Sequence, residues 1–529
     1  MKYPIGIQTF EQIREGGYVY VDKTDLVYSL VSEGKIYFLS RPRRFGKSLL
    51  ISTLKNYFLG RKELFEGLAI EKLEKEWKQY PVIHIDFNSD DFTEEGRLQY
   101  TLDNIVTELE MQYMVTALEN QSIGRRFCKV LEAIHQQTGL RAVVLVDEYD
   151  KPLLDVMDLD YKIDYLGEKI SLEEYNRNTL KAFYSTFKAA DKDLQFVFLT
   201  GVTKFSQVSV FSGFNQPKDI SMYAKYETLC GITKEEMLAY FKKPIEDMAV
   251  ENDCSLEEMV KLLIKQYDGY HFSKKLTGVF NPFSLLNALQ ESDLQDYWFK
   301  TGTPTYLVRL LNHFKENLNE LTGKYYSADQ FADYKANTEQ PLPMIYQSGY
   351  LTIKDYKKLT KAFLLDFPND EVKRGFSYLL ASNYLQPKED VNTWLFASID
   401  ALEDGELEEF HQQLTSFFAS IPYTMRRKEN EREKERYFHY TFYLLMRLAS
   451  TYITYTEKMQ SQGRVDCILE TDKYIYIFEF KLDGTAAEAL QQIEEKGYDK
   501  PYLTDKRKLY KIGCSFSSEK GTIDDWKVE

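Results

Sequence analysis

No run of about 18 uncharged apolar residues occurs in this 529-residue chain, so a membrane-spanning helix is excluded. The N-terminus, MKYPIGIQTFEQIREGG, lacks an apolar core of signal-peptide length and reaches Glu11 early, so a cytoplasmic location is expected, with no membrane partner. Cysteine is scarce. The five present (Cys128, Cys230, Cys254, Cys467 and Cys514) are scattered, with no C-x-x-C pair and no histidine at zinc spacing. That excludes a disulfide framework and a structural zinc site. Repeats and low-complexity tracts are absent. Basic charge is in deficit, with 67 Lys and Arg against 82 Asp and Glu, a net charge of −15. A generally basic, histone-like surface is therefore excluded, whereas a local basic groove along a phosphate backbone is not. Tyrosine and phenylalanine are plentiful, at 40 and 34, and core and interface packing is their simplest use. Hydrophobic residues at 43% and charged residues at 28% describe a globular protein. At roughly 100–200 residues per domain, the length implies two to four domains.

The expected fold class is α/β: a mostly parallel sheet at the N-terminus, a helical middle region and a small α/β domain at the C-terminus. Residues 1–231 alternate helical stretches with four nearly continuous β-branched and aromatic runs at 35–40, 81–87, 141–150 and 194–201. Such runs suit strands covered by helices on both faces. A helix is predicted to begin at Thr233, with Glu236 completing a capping box. From there to residue 405 the pattern reads as a mostly helical connector, with turn-like stretches at 267–273 and 281–283. Residues 406–529 hold a charged segment, an aromatic helix, a hairpin over 463–481 and a helix over 485–498.

Two constellations carry chemistry. In the first, KIYFLS–RPRRFGKS–LLISTLKNYF reads as strand, loop and helix. A P-loop of the form G-x-x-x-x-G-K-[ST] surrounds phosphates with backbone N–H groups, its Lys reaches the β/γ oxygens and its Ser/Thr holds Mg²⁺. Gly46, Lys47 and Ser48 fit. Arg41 stands where the first glycine gives the tight entry turn, and Arg43 and Arg44 add positive charge, so all three arginines are expected at the nucleotide. RAVVLVDEYD then supplies a buried strand ending in Asp147, expected to hold the magnesium, and Glu148, expected to orient the attacking water. Thr200, at the tip of the strand over 194–201, is the candidate γ-phosphate sensor.

In the second, GRVDCILETDKYIYIFEFK places Asp466 in one arm of a hairpin and Glu479 and Lys481 on one face of the other. Two carboxylates there would bind Mg²⁺ through oxygen, and the lysine would position a water and offset phosphate charge. Glu435 is a candidate third carboxylate, with His439 one turn later. Gln492 and Lys496, on one face of the last helix, are candidates for touching nucleic acid.

The stretch YPIGIQTFEQIREGGYVYVDKTDLVYSLV, followed by FLSRPRRFGKSLLISTLKNYF, resembles the bacterial AAA-ATPase-like family, in which an arginine-led loop without the first glycine is usual. YDGYHFS, NPFSLLNAL and TGTPTYL extend the likeness through the middle. GRVDCILETDKYIYIFEFKLDGTAAEALQQIEEKGY resembles the core of the PD-(D/E)XK nuclease superfamily, with which members of that family typically end. The resemblance implies nucleotide and magnesium binding by Lys47 and Ser48, Walker B roles for Asp147 and Glu148, and a nuclease core of Asp466, Glu479 and Lys481. The expected function is an ATP-binding, ATP-hydrolysing protein coupled to a Mg²⁺-dependent nuclease acting on nucleic acid, DNA in the first instance. The alternative is an ATP-dependent switch or nucleic-acid-binding regulator with an inactive nuclease fold. Target sequence and oligomeric state are not readable from the chain.

Overall fold

Strands buried on both faces need apolar side chains at every position, and the nearly continuous runs of the sequence become such strands. The computed structural model describes residues 1–116, 121–157, 159, 161–165, 167–205, 217–300, 321–333, 341–385, 391–420, 441, 445, 454–455, 459–460, 463–464 and 466–529. The chain divides into two compact units, Met1–Val372 and Lys373–Glu529. Residues 232–372 thus pack within the first unit and 373–405 within the second, where the sequence pattern suggested one connector over 232–405.

The first unit is organised on strands β1 (Ile36–Ser40), β2 (Val82–Asp86), β3 (Ala142–Asp147), β4 (Leu194–Gly201) and β5 (Lys218–Asp219), in the order β2-β3-β4-β1-β5. All four neighbouring pairs are parallel. Every residue of β3 is buried, as its unbroken AVVLVD demands. Strand β4 lies between β1 and β3, so an extra strand separates the phosphate-loop strand from the acid-bearing one. Helix α1 (Lys47–Phe58) starts directly after the loop that follows β1.

Helix α2 (Lys234–Glu251) starts as expected: Thr233 and Glu236 form both bonds of the capping box. NPF is a helix start rather than a turn. Asn281 caps α3 (Pro282–Glu291), its side chain accepting from the N–H groups of Phe283 at 2.9 Å and Ser284 at 3.3 Å. The middle region also holds an antiparallel sheet that the sequence reading missed: β6 (Lys324–Tyr326), β7 (Thr352–Lys357) and β8 (Ala362–Asp366), in the order β6-β8-β7. Its strands, three to six residues long, are too short to establish a period of two.

The second unit has a five-stranded sheet of β9 (Thr454–Tyr455), β10 (Cys467–Glu470), β11 (Tyr474–Leu482), β12 (Lys508–Ser517) and β13 (Thr522–Val528), paired in that order. Only β11 and β12 are parallel, and α5 (Ala486–Lys496) forms the crossover between them. Side chains of β11 alternate strictly. Tyr476, Phe478 and Phe480 enter a core with Phe410 and Phe417 of α4 (Leu407–Ser420), while Ile475 and Ile477 pack against Leu490 and Ile493 of α5. Each such buried side chain contributes roughly 1.5–3 kcal/mol. Glu479 and Lys481 continue the face that looks toward α5.

Candidate active sites: a phosphate cradle and a carboxylate pair

The loop from β1 to α1 turns through two left-handed residues, Arg44 at φ 68° and Gly46 at φ 85°. The tight steps therefore come late in the loop, and its first position needs no glycine. Arg41 is 1% exposed. Its guanidinium donates to the carbonyls of Ser40 (2.9 Å), Ser221 (2.8 Å) and Tyr226 (3.2 Å), and lies 4.0 Å from the centre of the Phe272 ring. The expectation that Arg41 binds nucleotide is corrected: its charge is spent on buried carbonyls, and the side chain braces the loop from behind. Phe45 adds a second anchor, with its ring 4.8 Å from Tyr270 and 5.4 Å from Phe272. The motif at 267–273 thus grips the loop from the middle region.

Lys47 is 5% exposed; its ammonium donates to the Pro42 carbonyl at 3.2 Å and lies 4.0 Å from the Glu148 carboxylate. Ser48 hydrogen-bonds the Asp147 carboxylate. Burial pushes the Asp147 carboxyl up to about 6; the Ser48 bond opposes the rise and the Glu148 charge adds to it. Asp86, at the tip of β2, pairs in register with Asp147. Glu148 turns out of the strand at φ 50° and lines a cleft of about 450 Å³ with Arg43, Arg44, Gly46, Lys47 and Ser48. The far wall of the cleft is formed by the N-terminal residues Pro4–Gln8 and by Phe283, over whose ring Arg44 lies at 4.9 Å. Lys47, Ser48, Glu148 and the bare Gly46 line the cleft, with Asp147 buried behind Ser48, a set of groups that could hold a nucleotide phosphate with magnesium.

The expected sensor does not reach that cleft. Thr200 is fully buried and its hydroxyl donates to the Leu39 carbonyl at 3.0 Å, tying β4 to β1. Asp150 does more at this strand tip, and sequence reasoning missed it. Fully buried, it accepts from the backbone N–H groups of Val202 at 3.0 Å and Thr203 at 2.5 Å, while the Tyr149 hydroxyl donates to the Thr203 carbonyl at 2.9 Å. Burial, then the Glu148 charge, push Asp150 up to about 7. The repeated acid in DEYD was the available signal. Lys204 carries the contact onward: its N–H donates to Gln347 at 2.9 Å and its ammonium pairs with Asp219 and Asp333.

In the second unit the Cys467–Phe478 pair sets the hairpin register, which places Asp466 opposite Glu479 just beyond the ladder. Asp466 accepts from the Phe480 N–H at 2.9 Å, which fixes it at the strand end. Glu479 is 2% exposed. Gln492 of α5 donates its amide to Glu479 Oε1 and accepts from the Lys481 ammonium through its carbonyl oxygen. One amide therefore orients both members of the E-x-K pair. The assignment of Gln492 to nucleic-acid contact is corrected accordingly, because its helix face packs over β11. Lys496 is exposed in the last turn of α5. Tyr498, 1% exposed and hydrogen-bonded to Gln492, closes the site. It lies past the helix end at Gly497, so helical periodicity could not have found it.

Burial pushes the Glu479 carboxyl up to about 8, helped by the Asp466 charge and opposed by Lys481. Its Oε2 is buried with no hydrogen-bond partner. An unsatisfied buried acceptor costs about 1–3 kcal/mol, so an oxygen kept bare beside a second carboxylate fits a divalent cation. Among the described residues no group of three or more His, Cys, Asp or Glu is placed to hold a metal. Glu435 and His439 lie outside the described residues.

Comparison with known proteins matches a segment of each unit to a family. Residues 4–211 match a family described as "Predicted AAA-ATPase", and residues 433–526 match the "PD-(D/E)XK nuclease superfamily". A curated protein of Azotobacter chroococcum mcd 1, "Uncharacterized protein in vnfD 5'region", is 33% identical over 538 residues, spanning 100% of this chain and 99% of its own. The chain belongs to the AAA-ATPase-like family and ends in a PD-(D/E)XK nuclease-superfamily domain. A solved structure, Cdc6p from Pyrobaculum aerophilum, shares 11% identity over 68% of this chain and 90% of that one, with a TM-score of 0.22. That superposition is too loose to bear on the fold, which rests on the strand order. No helix among the described residues is long and apolar enough to cross a membrane.

Proposed function

We propose that this AAA-ATPase-like protein is an ATP-controlled, Mg²⁺-dependent nuclease that cleaves DNA. The observation that carries the reading is the buried, unpartnered Glu479 Oε2 beside Asp466, with Lys481 on the same strand face. Asp466 and Glu479 would hold the metal. A bound divalent ion supplies Lewis acidity to a phosphodiester. Lys481, aimed by Gln492, orients the attacking water and offsets charge building on the phosphate.

In the first unit Lys47 exchanges the Pro42 carbonyl for phosphate oxygens, Ser48 and Asp147 would hold magnesium, and Glu148 orients water for hydrolysis. Arg43 and Arg44 add positive charge at the cleft. The nucleotide state passes to the β4 tip through Tyr149 and Asp150, and from Lys204 to Gln347. Such transmission requires that the two nucleotide states be bound unequally by alternative arrangements of this segment.

The test is plasmid cleavage with Mg²⁺, with and without ATP, by wild type, Lys481→Ala and Lys47→Ala. The expected results are a loss of roughly 10²–10³ in rate for Lys481→Ala and loss of the ATP response for Lys47→Ala. Unchanged cutting in both variants defeats the proposal. DNA binding without cutting in Mg²⁺ or Mn²⁺ would identify a binding switch instead.

A further inference from the structure

Neither site uses the end of β7 or the turn that joins it to β8, where Lys357, Lys358, Leu359, Thr360 and Lys361 are all exposed, Leu359 at 96%. The hairpin has two unlike faces. Inward, Phe363 and Leu365 are buried, with the Phe363 ring 5.6 Å from Phe331 and 4.7 Å from Tyr356. Outward, Tyr325 of β6 aligns with Leu364 and, beyond it, with Asp355. The Tyr325 hydroxyl donates to Asp355 at 2.6 Å, and the Lys357 ammonium lies 3.7 Å from the centre of the Tyr325 ring.

The segment 357–361 carries three lysines and no acid in a chain of net charge −15. The acid nearest to it in sequence, Asp355, is engaged by Tyr325. Lysines on an edge strand discourage unwanted sheet pairing. That does not account for Lys358 and Lys361, which lie beyond the last ladder pair, Ala362 with Lys357. Nor does a solvated turn call for leucine at its tip, where Gly, Asn, Asp or Ser is the usual choice.

We propose that this hairpin is a nucleic-acid contact, with Lys357, Lys358 and Lys361 on the phosphates of duplex DNA and Leu359 pressed into its groove. The positive charge selects a polyanion; the choice of DNA rests on the nuclease reading. The two are separable by experiment. Binding of the full chain to a fluorescein-labelled DNA duplex is followed by anisotropy in EDTA, where nothing is cut, from 50 to 200 mM salt. Wild type is compared with Lys357→Gln/Lys358→Gln/Lys361→Gln and with Leu359→Ser, all with unchanged melting temperature.

The triple variant is expected to lose about 2.7 from the salt slope, so that over this salt range wild-type affinity falls about 40-fold more than the variant's. Leu359→Ser is expected to weaken binding with the slope unchanged. Equal affinity and slope for wild type and the triple variant overturn the proposal. So does a lysine-dependent affinity confined to phosphatidylserine vesicles, which would mark a membrane contact. A protein that binds through the hairpin yet never cuts in Mg²⁺ upholds the proposal and refutes the nuclease. Mg²⁺-dependent cutting with unaltered binding in the triple variant does the reverse.

Discussion

Lowering the pH from 8 to 6 should sharply weaken divalent metal binding at the Asp466–Glu479 pair, although no residue is changed. Burial and the Asp466 charge push the Glu479 carboxyl up to about 8, so near neutral pH the metal-free protein holds a proton there. A metal takes the carboxylate, so binding must expel that proton. A raised pKa in the metal-free state therefore makes metal affinity rise with pH up to the pKa and level off above it. With a pKa near 8, about half of the molecules are ionised at pH 8 and about 1% at pH 6, a difference of about 50-fold in apparent affinity. At pH 7 about 0.9 proton should leave per ion bound. Calorimetric titration with Mn²⁺ and no nucleotide reads both quantities, using two buffers of different ionisation enthalpy and Glu479→Gln as the blank. A flat affinity from pH 6 to 8 with no proton released would refute the reasoning.

Three further outcomes follow from named contacts. Restoring the usual loop glycine with Arg41→Gly should not improve ATP affinity. It should destabilise the first unit by roughly 2–5 kcal/mol in urea titrations, because the bonds to Ser221 and Tyr226 and the Phe272 contact are lost. Asp150→Ala should cost about 2–4 kcal/mol by the same measure, since two buried N–H groups lose their acceptor, whereas Asp150→Asn, which keeps an acceptor oxygen, should cost less than half as much. Gln492→Leu should lower cleavage by roughly 10–100-fold with little change in melting temperature, as Glu479 and Lys481 lose their shared partner.

The central sheet, the Lys47–Asp147 cradle and the Asp466–Glu479–Lys481 grouping were legible because each depends on local pattern: apolar runs, a loop between strand and helix, and alternation along β11. What sequence could not give depends on which way a side chain turns. Arg41 looks like a phosphate ligand from its neighbours in sequence, yet its partners lie some 180 positions away at Ser221 and Tyr226. Thr200 occupies the expected strand tip but its hydroxyl faces β1. Gln492 reads in sequence as a helix-face contact for nucleic acid, and its bond to Glu479 appears only once α5 is laid over β11. The three-stranded sheet of the middle region, on which the hairpin proposal rests, was hidden by strands too short to show a period.

The proposed cleavage requires a metal held between the two carboxylates of the second unit. The most direct measurement is anomalous diffraction from crystals of the full chain soaked in Mn²⁺ at pH 8. A peak within coordinating distance of Asp466 and Glu479 Oε2, absent in Glu479→Gln, is the predicted result. Manganese bound elsewhere, with Glu479 still bare, would contradict it.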